Sequence, residues 1–384
     1  MKQAVVWGAG RIGRGFVAEL LFEGDYFVHF VDRDASLVRA LNRQGWYTLY
    51  KARETGLEKC VLAGNFRAHS TDEDLSSLFL QEECLVDVAV FKNDLESAAE
   101  MLAPYVALRA EKMPRSPMDF ITNVNMNAPE VAFRRYLEQR LSGPARDYLD
   151  AQVGVSGIFM MCIAPDATEE MRRKDPLAVY HNGFFEQAVD AEAFRGVPPQ
   201  APRLRLSHRL AAEEARKLYT LNMAHCALAY LGTPRGYATS FQSVQDTEIR
   251  RVVTGALEEA SLGLEKQLGF GGEEMLQWRE IIFSLLLNPY MADPLSRLGA
   301  DSRRKLSGND RLVIPAQLCL ASGARPVNLA RIIRAGYAFE NPDPGTRQVR
   351  RCVSEKGLGN AVQEISALTP DQELFKMIME ETNP

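Results

Sequence analysis

The stretch that decides the fold is residues 3–32, QAVVWGAGRIGRGFVAELLFEGDYFVHFVD. A short apolar run, residues 3–7, leads into the glycine-rich sequence GAGRIGRG, after which apolar residues recur at helical spacing. A second apolar run, residues 26–31, stops at Asp32. Strand, glycine turn, helix, strand and acidic residue in this order are typical of a dinucleotide-binding βαβ unit. The alternative is an ordinary glycine turn in an α/β domain.

The glycines of this stretch have distinct physical roles in binding a dinucleotide. Gly8 permits a tight turn, Gly10 lets the backbone approach a pyrophosphate, and Gly13 allows close packing of helix on strand. Backbone amides at the N-terminus of the helix, which begins around Arg11 and Ile12, would hold the phosphates together with the helix dipole. These residues are the predicted cofactor contacts.

Asp32 predicts which dinucleotide is bound. A carboxylate at the end of this strand accepts hydrogen bonds from the adenosine ribose hydroxyls and repels a 2′-phosphate. We therefore predict NAD rather than NADP, although the neighbouring Arg33 would soften that preference.

Further strands and helices alternate along the first half of the chain. The strand candidates are residues 84–91, 118–124, 151–159 and 177–181, with helical patterns between several of them. Such alternation predicts a doubly wound α/β sheet. Asn125 follows the second of these strands, and polar side chains at the carboxyl end of such a strand face the ligand crevice. An asparagine there can also simply cap a turn.

The character of the chain changes after residues 194–203, FRGVPPQAPR, which resemble a linker. Strand signals largely disappear beyond it, and the segments with helical periodicity are 209–231, 241–269, 273–287, 310–322, 326–338 and 345–367. We predict a Rossmann-type dinucleotide-binding domain over residues 1–195, followed by a mainly α-helical substrate and catalytic domain over residues 196–384.

Composition restricts the class of protein. The chain has 384 residues, 46% hydrophobic and 25% charged, with a net charge of −5, which argues against nucleic acid or an anionic membrane as partner. No apolar run reaches the ~18 residues of a membrane span. The six cysteines are dispersed, without zinc-binding spacing, and no metal is indicated. We expect a cytoplasmic protein that acts on a small molecule.

Polar residues interrupt one strongly apolar helical segment, residues 216–232, RKLYTLNMAHCALAYLG. At 100° per residue Lys217 and His225 lie on one face, and Asn222 is a neighbour of His225. Because a buried amide or imidazole needs a partner, these residues either are satisfied within the core or line a binding cleft.

Cations are concentrated in a turn-rich stretch, residues 288–312. Such clusters bind phosphate or carboxylate through charge-assisted hydrogen bonds, and Arg297, Arg304 and Lys305 are the candidate substrate contacts. The alternative is a solvated loop whose cations are paired with its own carboxylates, Asp293, Asp301 and Asp310.

The spacing K-x4-N-x2-H of Lys217, Asn222 and His225 resembles the signature of the polyol-specific long-chain dehydrogenases. The resemblance covers most of the chain. Its specific segments are GAGRIGRGF (8–16), DPLAVYHNGFFEQAVDAEAFRG (175–196), KLYTLNMAHCALAYLG (217–232), IRRVVTGALEEAS (249–261), NPYMADPLSRLG (288–299) and RKLSGNDRL (304–312).

This resemblance implies metal-independent hydride transfer between NAD and a carbon of a sugar alcohol, a sugar phosphate or a sugar acid. Lys217 matches the family's general acid/base, a role open to a lysine where burial and positive charge bring its pKa toward ~7–8. Asn222 and Asn125 match the amides that hold the developing oxyanion, with roughly 3 kcal/mol from each such donor. His225 matches the histidine that orients the substrate oxygen or the lysine.

The chain departs from the family pattern in four places. Val124 replaces an acidic residue, Met161 and Cys162 replace an Asp-Arg pair, Ala300 replaces an arginine, and Phe91 replaces a glycine. These changes remove polar groups expected near the substrate. They leave open a polyol, a polyol phosphate or a hexuronate as substrate, and they are the feature favouring a noncatalytic NAD-binding regulatory protein.

Overall fold

The computed structural model describes residues 2–53, 55–126, 128–184 and 187–381. The chain divides into two compact units, Met1–Leu210 and Ala211–Pro384. The boundary predicted from the sequence, after residue 195, lies within the first of these units.

The strands of the described residues all belong to the first unit. They are β1 (Lys2–Trp7), β2 (Tyr26–Asp32), β3 (Trp46–Arg53), β4 (Gly56–Ala63), β5 (Phe66–Ser70), β6 (Cys84–Val88), β7 (Met118–Thr122), β8 (Val153–Ser156), β9 (Ile158–Met160), β10 (Val179–His181), β11 (Gln187–Asp190) and β12 (Leu204–Ser207). Six of them form a parallel sheet in the order β5-β2-β1-β6-β7-β8. This is the strand order of a doubly wound dinucleotide-binding sheet, so the predicted fold class is confirmed.

The helices of the first unit cover both faces of this sheet. They are α1 (Ala18–Glu23), which continues a helical segment that begins at Arg11 and is π-helical over Gly13–Val17, and α2 (Ala35–Gln44), α3 (Ser76–Phe79), α4 (Leu95–Lys112), α5 (Pro129–Glu138), α6 (Pro144–Gln152) and α7 (Glu169–Lys174). Alternate residues of β1 enter separate apolar clusters, Ala4 and Val6 in one and Val5 and Trp7 in the other. This alternation is expected of a strand buried on both faces.

Two small sheets were not predicted. They are the three-stranded sheets β10-β3-β4 and β12-β11-β9. The hairpin β3–β4 is joined by β10, a strand more than a hundred residues later in the chain. Residues 151–159, predicted as one strand, contain the end of α6 and two separate strands, because β9 pairs with β11 instead of continuing β8.

The second unit is α-helical, as predicted. Its helices, the first of which begins at the unit boundary, are α8 (Leu210–Tyr219), α9 (Leu221–Gly232), α10 (Ser240–Gln245), α11 (Thr247–Leu268), α12 (Gly272–Leu286), α13 (Leu295–Gly299), α14 (Ser302–Lys305), α15 (Val313–Ala321), α16 (Val327–Ala338), α17 (Pro344–Lys356), α18 (Leu358–Ser366) and α19 (Glu373–Glu380). The long helix α11 packs against α9, α15 and α16.

Two details of the second unit differ from the sequence prediction. Residues 209–231 are not one helix, because the backbone of Thr220 leaves the helical region (φ −121°, ψ −78°) between α8 and α9. The 288–312 stretch, predicted to be irregular, contains the short helices α13 and α14.

Candidate active site

The glycine loop after β1 has the geometry of a pyrophosphate cradle. Gly8 has a φ of +105°, and a Cβ there would lie 2.3 Å from the Ala89 carbonyl oxygen. A Cβ on Gly13 would lie 2.0 Å from the Gly8 carbonyl oxygen, so helix and loop can approach this closely only without a side chain. A Cβ on Gly10 would meet nothing within 4 Å, which leaves open space over the loop. These three positions fit the bound phosphates of a dinucleotide.

Asp32 lies at the end of β2 beside this loop. Its Oδ2 accepts a hydrogen bond from the Ala9 amide at 2.8 Å, and its Oδ1 accepts one from the Asp34 amide at 2.9 Å. The carboxylate is thereby fixed against the loop, and its remaining lone pairs suit ribose hydroxyls. Arg33 pairs with Asp94 at 3.1 Å, an engagement that favours NAD over NADP.

Arg14 is a residue of this loop that the sequence analysis missed. Its buried guanidinium donates from Nε to the Ala9 carbonyl oxygen at 2.6 Å and from Nη1 to the Leu177 carbonyl oxygen at 2.5 Å. The Tyr47 hydroxyl donates in turn to the Arg14 carbonyl oxygen at 2.7 Å. The available signal was an arginine between Gly13 and Gly15, directly before the apolar residues Phe16 and Val17. Arg11, in contrast, is partly exposed and pairs with Asp166 at 3.1 Å.

The end of β7 carries one buried and one exposed asparagine. Asn123 is buried, and its Nδ2 donates to Oδ2 of Asp87 on β6 at 2.6 Å. Burial raises the pKa of Asp87 to about 7, although the hydrogen bond from Asn123 opposes this shift. Val124 packs into the apolar core. Asn125 is exposed, and its side chain makes no hydrogen bond to another residue of the described ranges.

In the second unit, the break between α8 and α9 is held by side chains. The Thr220 hydroxyl donates to the Arg216 carbonyl oxygen at 2.5 Å and accepts from Trp278 Nε1 at 2.9 Å. The Arg216 guanidinium lies 4.2 Å from the Trp278 ring centroid and pairs with Glu274 at 2.7 Å. Lys217 therefore lies in the last turn of α8, directly before a break that these contacts fix.

Asn222 and His225 lie on α9, beyond the break. Both are partly accessible, and neither side chain has a hydrogen-bond partner within the described part of the chain. The sequence left open that these residues are hydrogen-bonded within the core, and that alternative requires such partners. An amide and an imidazole without internal partners are instead suited to hold a ligand.

Cations of the 288–312 stretch contribute to a low pKa of His225. Burial lowers the pKa of His225 to about 4; the charge of Asp293 opposes this, and the charges of Arg297, Arg311 and Lys305 reinforce it. The imidazole is consequently neutral at neutral pH, with one nitrogen able to donate and the other able to accept.

The same cations are mostly paired within the stretch. Arg297 forms an ion pair with Asp293, and Arg304 pairs with Asp301 at 2.8 Å and with Asp310 at 3.1 Å. The loop thus has the internal pairing that was the alternative to substrate binding.

Lys305 differs from these arginines because it is buried. Its Nζ donates to the Leu298 carbonyl oxygen at 2.6 Å. Burial lowers the pKa of Lys305, and the neighbouring charges of Arg311 and Arg304 act in the same direction.

The departures from the family pattern occupy different environments. Met161 is buried, and its carbonyl oxygen accepts from Asn182 Nδ2 at 3.0 Å. Phe91 follows β6 with 71% of its surface exposed. Ala300 is the C-cap of α13. Cys162 is partly buried.

The residues that the structure describes contain no group of three or more His, Cys, Asp and Glu side chains placed to hold a metal ion. No helix among them is long and apolar enough to cross a membrane.

Family models match nearly the whole chain. The mannitol dehydrogenase Rossmann domain matches residues 2–202, and the mannitol dehydrogenase C-terminal domain matches residues 210–382. The chain belongs to the mannitol dehydrogenase family. Our predictions of a polyol dehydrogenase family, of an oxidoreductase acting on CH–OH groups and of NAD as cofactor are confirmed at the level of the family.

Solved structures share this fold. A D-sorbitol dehydrogenase in substrate-free form is 15% identical, with a TM-score of 0.84 over 99% of this chain and 92% of that one. The Pseudomonas fluorescens mannitol 2-dehydrogenase, solved as a ternary complex with NAD and D-mannitol, is 16% identical, with a TM-score of 0.68 over 98% of this chain and 90% of that one.

Proposed function

We propose that this chain is an NAD-dependent, metal-independent dehydrogenase that interconverts a sugar alcohol, or its phosphate, with the corresponding keto sugar. The proposed activity is most similar to that of mannitol-1-phosphate 5-dehydrogenase. The observation that carries the proposal is that the side chains of Asn222 and His225 have no hydrogen-bond partner among the described residues, on a helix that follows Lys217 across a fixed break. A structural role for these polar groups within the core would require such partners.

The cofactor cradle is proposed to consist of Gly8, Gly10, Gly13 and Asp32, with the amides of the helix that begins at Arg11. Bound NADH would supply the hydride for reduction, and bound NAD⁺ would accept it in the reverse direction. The fit rests on the open space above Gly10 and on the carboxylate fixed at the end of β2.

Four side chains have a proposed role in catalysis, three in the second unit and Asn125 in the first. Lys217 gives a proton to the oxygen of the carbonyl as it is reduced and removes it in the reverse direction. Asn222 donates a hydrogen bond to that oxygen, and Asn125 is assigned the same task from the family signature. Neutral His225 orients the substrate hydroxyl, because an imidazole with a pKa near 4 is not itself a cation at neutral pH.

The substrate is proposed to carry a phosphate. The 288–312 stretch holds five cations, Arg297, Arg303, Arg304, Lys305 and Arg311, against three carboxylates. An anionic group would balance the remaining positive charge. A hexuronate carboxylate would use the same excess charge, and a neutral polyol would not need it.

The first experiment is to follow NADH oxidation with fructose 6-phosphate, fructose and the keto-hexuronates fructuronate and tagaturonate. We expect fructose 6-phosphate to be the best substrate. Faster turnover of a hexuronate or of free fructose would overturn the proposal that the substrate carries a phosphate. No turnover with any of these compounds would support a noncatalytic NAD-binding protein.

The second experiment tests Lys217 directly. Lys217→Ala should lower kcat about 10²- to 10⁴-fold while NADH binding, measured by fluorescence, stays unchanged. Lys266→Ala is the matched control, since Lys266 is an exposed lysine in the last turn of α11. A Lys217→Ala variant as active as Lys266→Ala would contradict the proposed proton transfer.

A further inference from the structure

A cavity of about 590 Å³ lies between α11 and α16 of the second unit. Its lining includes Thr247, Arg250, Arg251, Glu258, Asn328 and Arg331, and none of the proposed catalytic residues contributes to it. The volume is in the range of pockets for small molecules. The cavity therefore has no part in the proposed active site.

The floor of the cavity is built by a close approach of the two helices. A Cβ on Gly255 of α11 would lie 2.3 Å from Asn328 Nδ2 of α16. Glu259 Oε1 accepts from the Asn328 backbone amide at 2.8 Å and from its Nδ2 at 2.7 Å, and Oε2 accepts from the Leu329 amide at 2.9 Å. Asn328 is thus held in place while its Oδ1 keeps its capacity as an acceptor.

Positive charge dominates the lining. The side chains of Arg251 and Arg331 form neither an ion pair nor a hydrogen bond with another residue of the described ranges. Arg250 is engaged, since its Nε donates to the Val244 carbonyl oxygen at 2.8 Å. Glu258 is the one carboxylate among the lining residues.

We propose that this cavity binds a small phosphate monoester that carries hydroxyl groups. The planar guanidiniums of Arg251 and Arg331 match phosphate oxygens in geometry and charge. Glu258 and the Asn328 Oδ1 accept hydrogen bonds, which suits hydroxyl groups on the same molecule. No aromatic side chain lines the cavity to stack on a base, so a sugar phosphate fits better than a nucleotide.

The test is calorimetric titration of the full chain, without NADH, with glucose 6-phosphate as probe. Glucose and inorganic phosphate serve as its neutral and its hydroxyl-free counterparts. Arg251→Ala and Arg331→Ala should each weaken glucose 6-phosphate binding about tenfold or more, because each removes a charge-assisted contact. Arg347→Ala, which removes an exposed arginine elsewhere in the same unit, should leave it unchanged.

Glu258→Gln tests the class of ligand. Removing the negative charge should strengthen binding of inorganic phosphate, since repulsion is lost. It should weaken binding of glucose 6-phosphate relative to phosphate, since one of the two oxygens that accept from hydroxyl groups becomes an amide donor. An unchanged ratio of the two affinities would overturn the assignment of hydroxyl recognition to Glu258.

The proposal is overturned if glucose 6-phosphate does not bind, or if the Arg251, Arg331 and Arg347 variants bind it equally. Because Arg251 is exposed, its variant stands as a test even if Arg331→Ala fails to fold. The titration involves no turnover. A failure of the proposed dehydrogenase activity would consequently leave this result unaffected. Glucose 6-phosphate that binds at the active site instead of the cavity would bind equally well to the Arg251→Ala and Arg331→Ala variants.

Discussion

The glycine loop after β1 and the break between α8 and α9 are both short interruptions of regular structure, and they are built differently. The loop is built by the backbone, with a positive φ at Gly8 and no room for a Cβ at Gly13. The break is built by side chains, because the Thr220 hydroxyl donates a hydrogen bond to the Arg216 carbonyl oxygen and accepts one from Trp278 Nε1 of α12. A site made of backbone geometry depends on its own sequence, whereas one made of side chains depends on residues far along the chain.

The largest effect is expected in the loop. Gly13→Ala would place a Cβ 2.0 Å from the Gly8 carbonyl oxygen, so one backbone must move. We expect a loss of more than ~3 kcal/mol in unfolding free energy, measured by denaturant titration.

Gly10→Ala is the matched control for this prediction, because its Cβ meets nothing within 4 Å. This variant should keep the stability of the wild type and lose NADH affinity, since the added methyl group occupies the space proposed for the pyrophosphate. If Gly13→Ala and Gly10→Ala were equally unstable, Gly13 would have no special role in packing and Gly10 none in cofactor binding.

A smaller effect is expected from Asp87, a buried carboxylate on β6. Its pKa is raised in the folded state from 3.8 to about 7, so its contribution to stability is fully present below pH 3.8 and is lost as the pH rises through 7. Asp87→Asn keeps an acceptor for Asn123 Nδ2 and carries no charge. We expect the variant to be more stable than the wild type at pH 8.5, by on the order of 2–4 kcal/mol.

Measuring Tm from pH 4 to pH 8.5 checks this prediction. The difference between Asp87→Asn and the wild type should grow with pH. A difference independent of pH would mean that Asp87 does not titrate in this range.

The smallest effect is expected at the break. Thr220→Val removes the hydroxyl that accepts the hydrogen bond from the buried Trp278 Nε1, at a cost of ~1–3 kcal/mol. Because Lys217 directly precedes the break, we also expect kcat to fall about tenfold with little change in NADH binding. Thr220→Ser, which keeps the hydroxyl, should behave as the wild type in stopped-flow and thermal unfolding measurements. Equal activity of the two variants would show that the break does not position Lys217.

The fold could be predicted from the sequence to the extent that its signals are local. The βαβ unit, strands β6 and β7 and most helices of the second unit follow from periodicity and turn residues. The sheets β10-β3-β4 and β12-β11-β9 could not be predicted, because their strands pair across long separations. The continuous helix predicted over residues 209–231 was wrong, since the contact that breaks it comes from Trp278.

The candidate site divides in the same way. Gly8, Gly10, Gly13 and Asp32 could be located from their spacing alone. The spacing of Lys217 and its neighbours gave a family resemblance, but it did not show which cations had partners.

By itself, the sequence determined the βαβ unit with its glycine loop, the class of fold and the family, because these depend on glycines, on apolar periodicity and on a specific spacing. Only the tertiary structure decided that Arg14 is buried beside the glycine loop and that Arg304 is paired with Asp301 and Asp310. It alone showed that Arg251 and Arg331 line one cavity and that neither forms an ion pair with another described residue. The physical reason is that the pairing of a charge depends on which side chains packing brings within a few ångströms, and no local pattern encodes that distance.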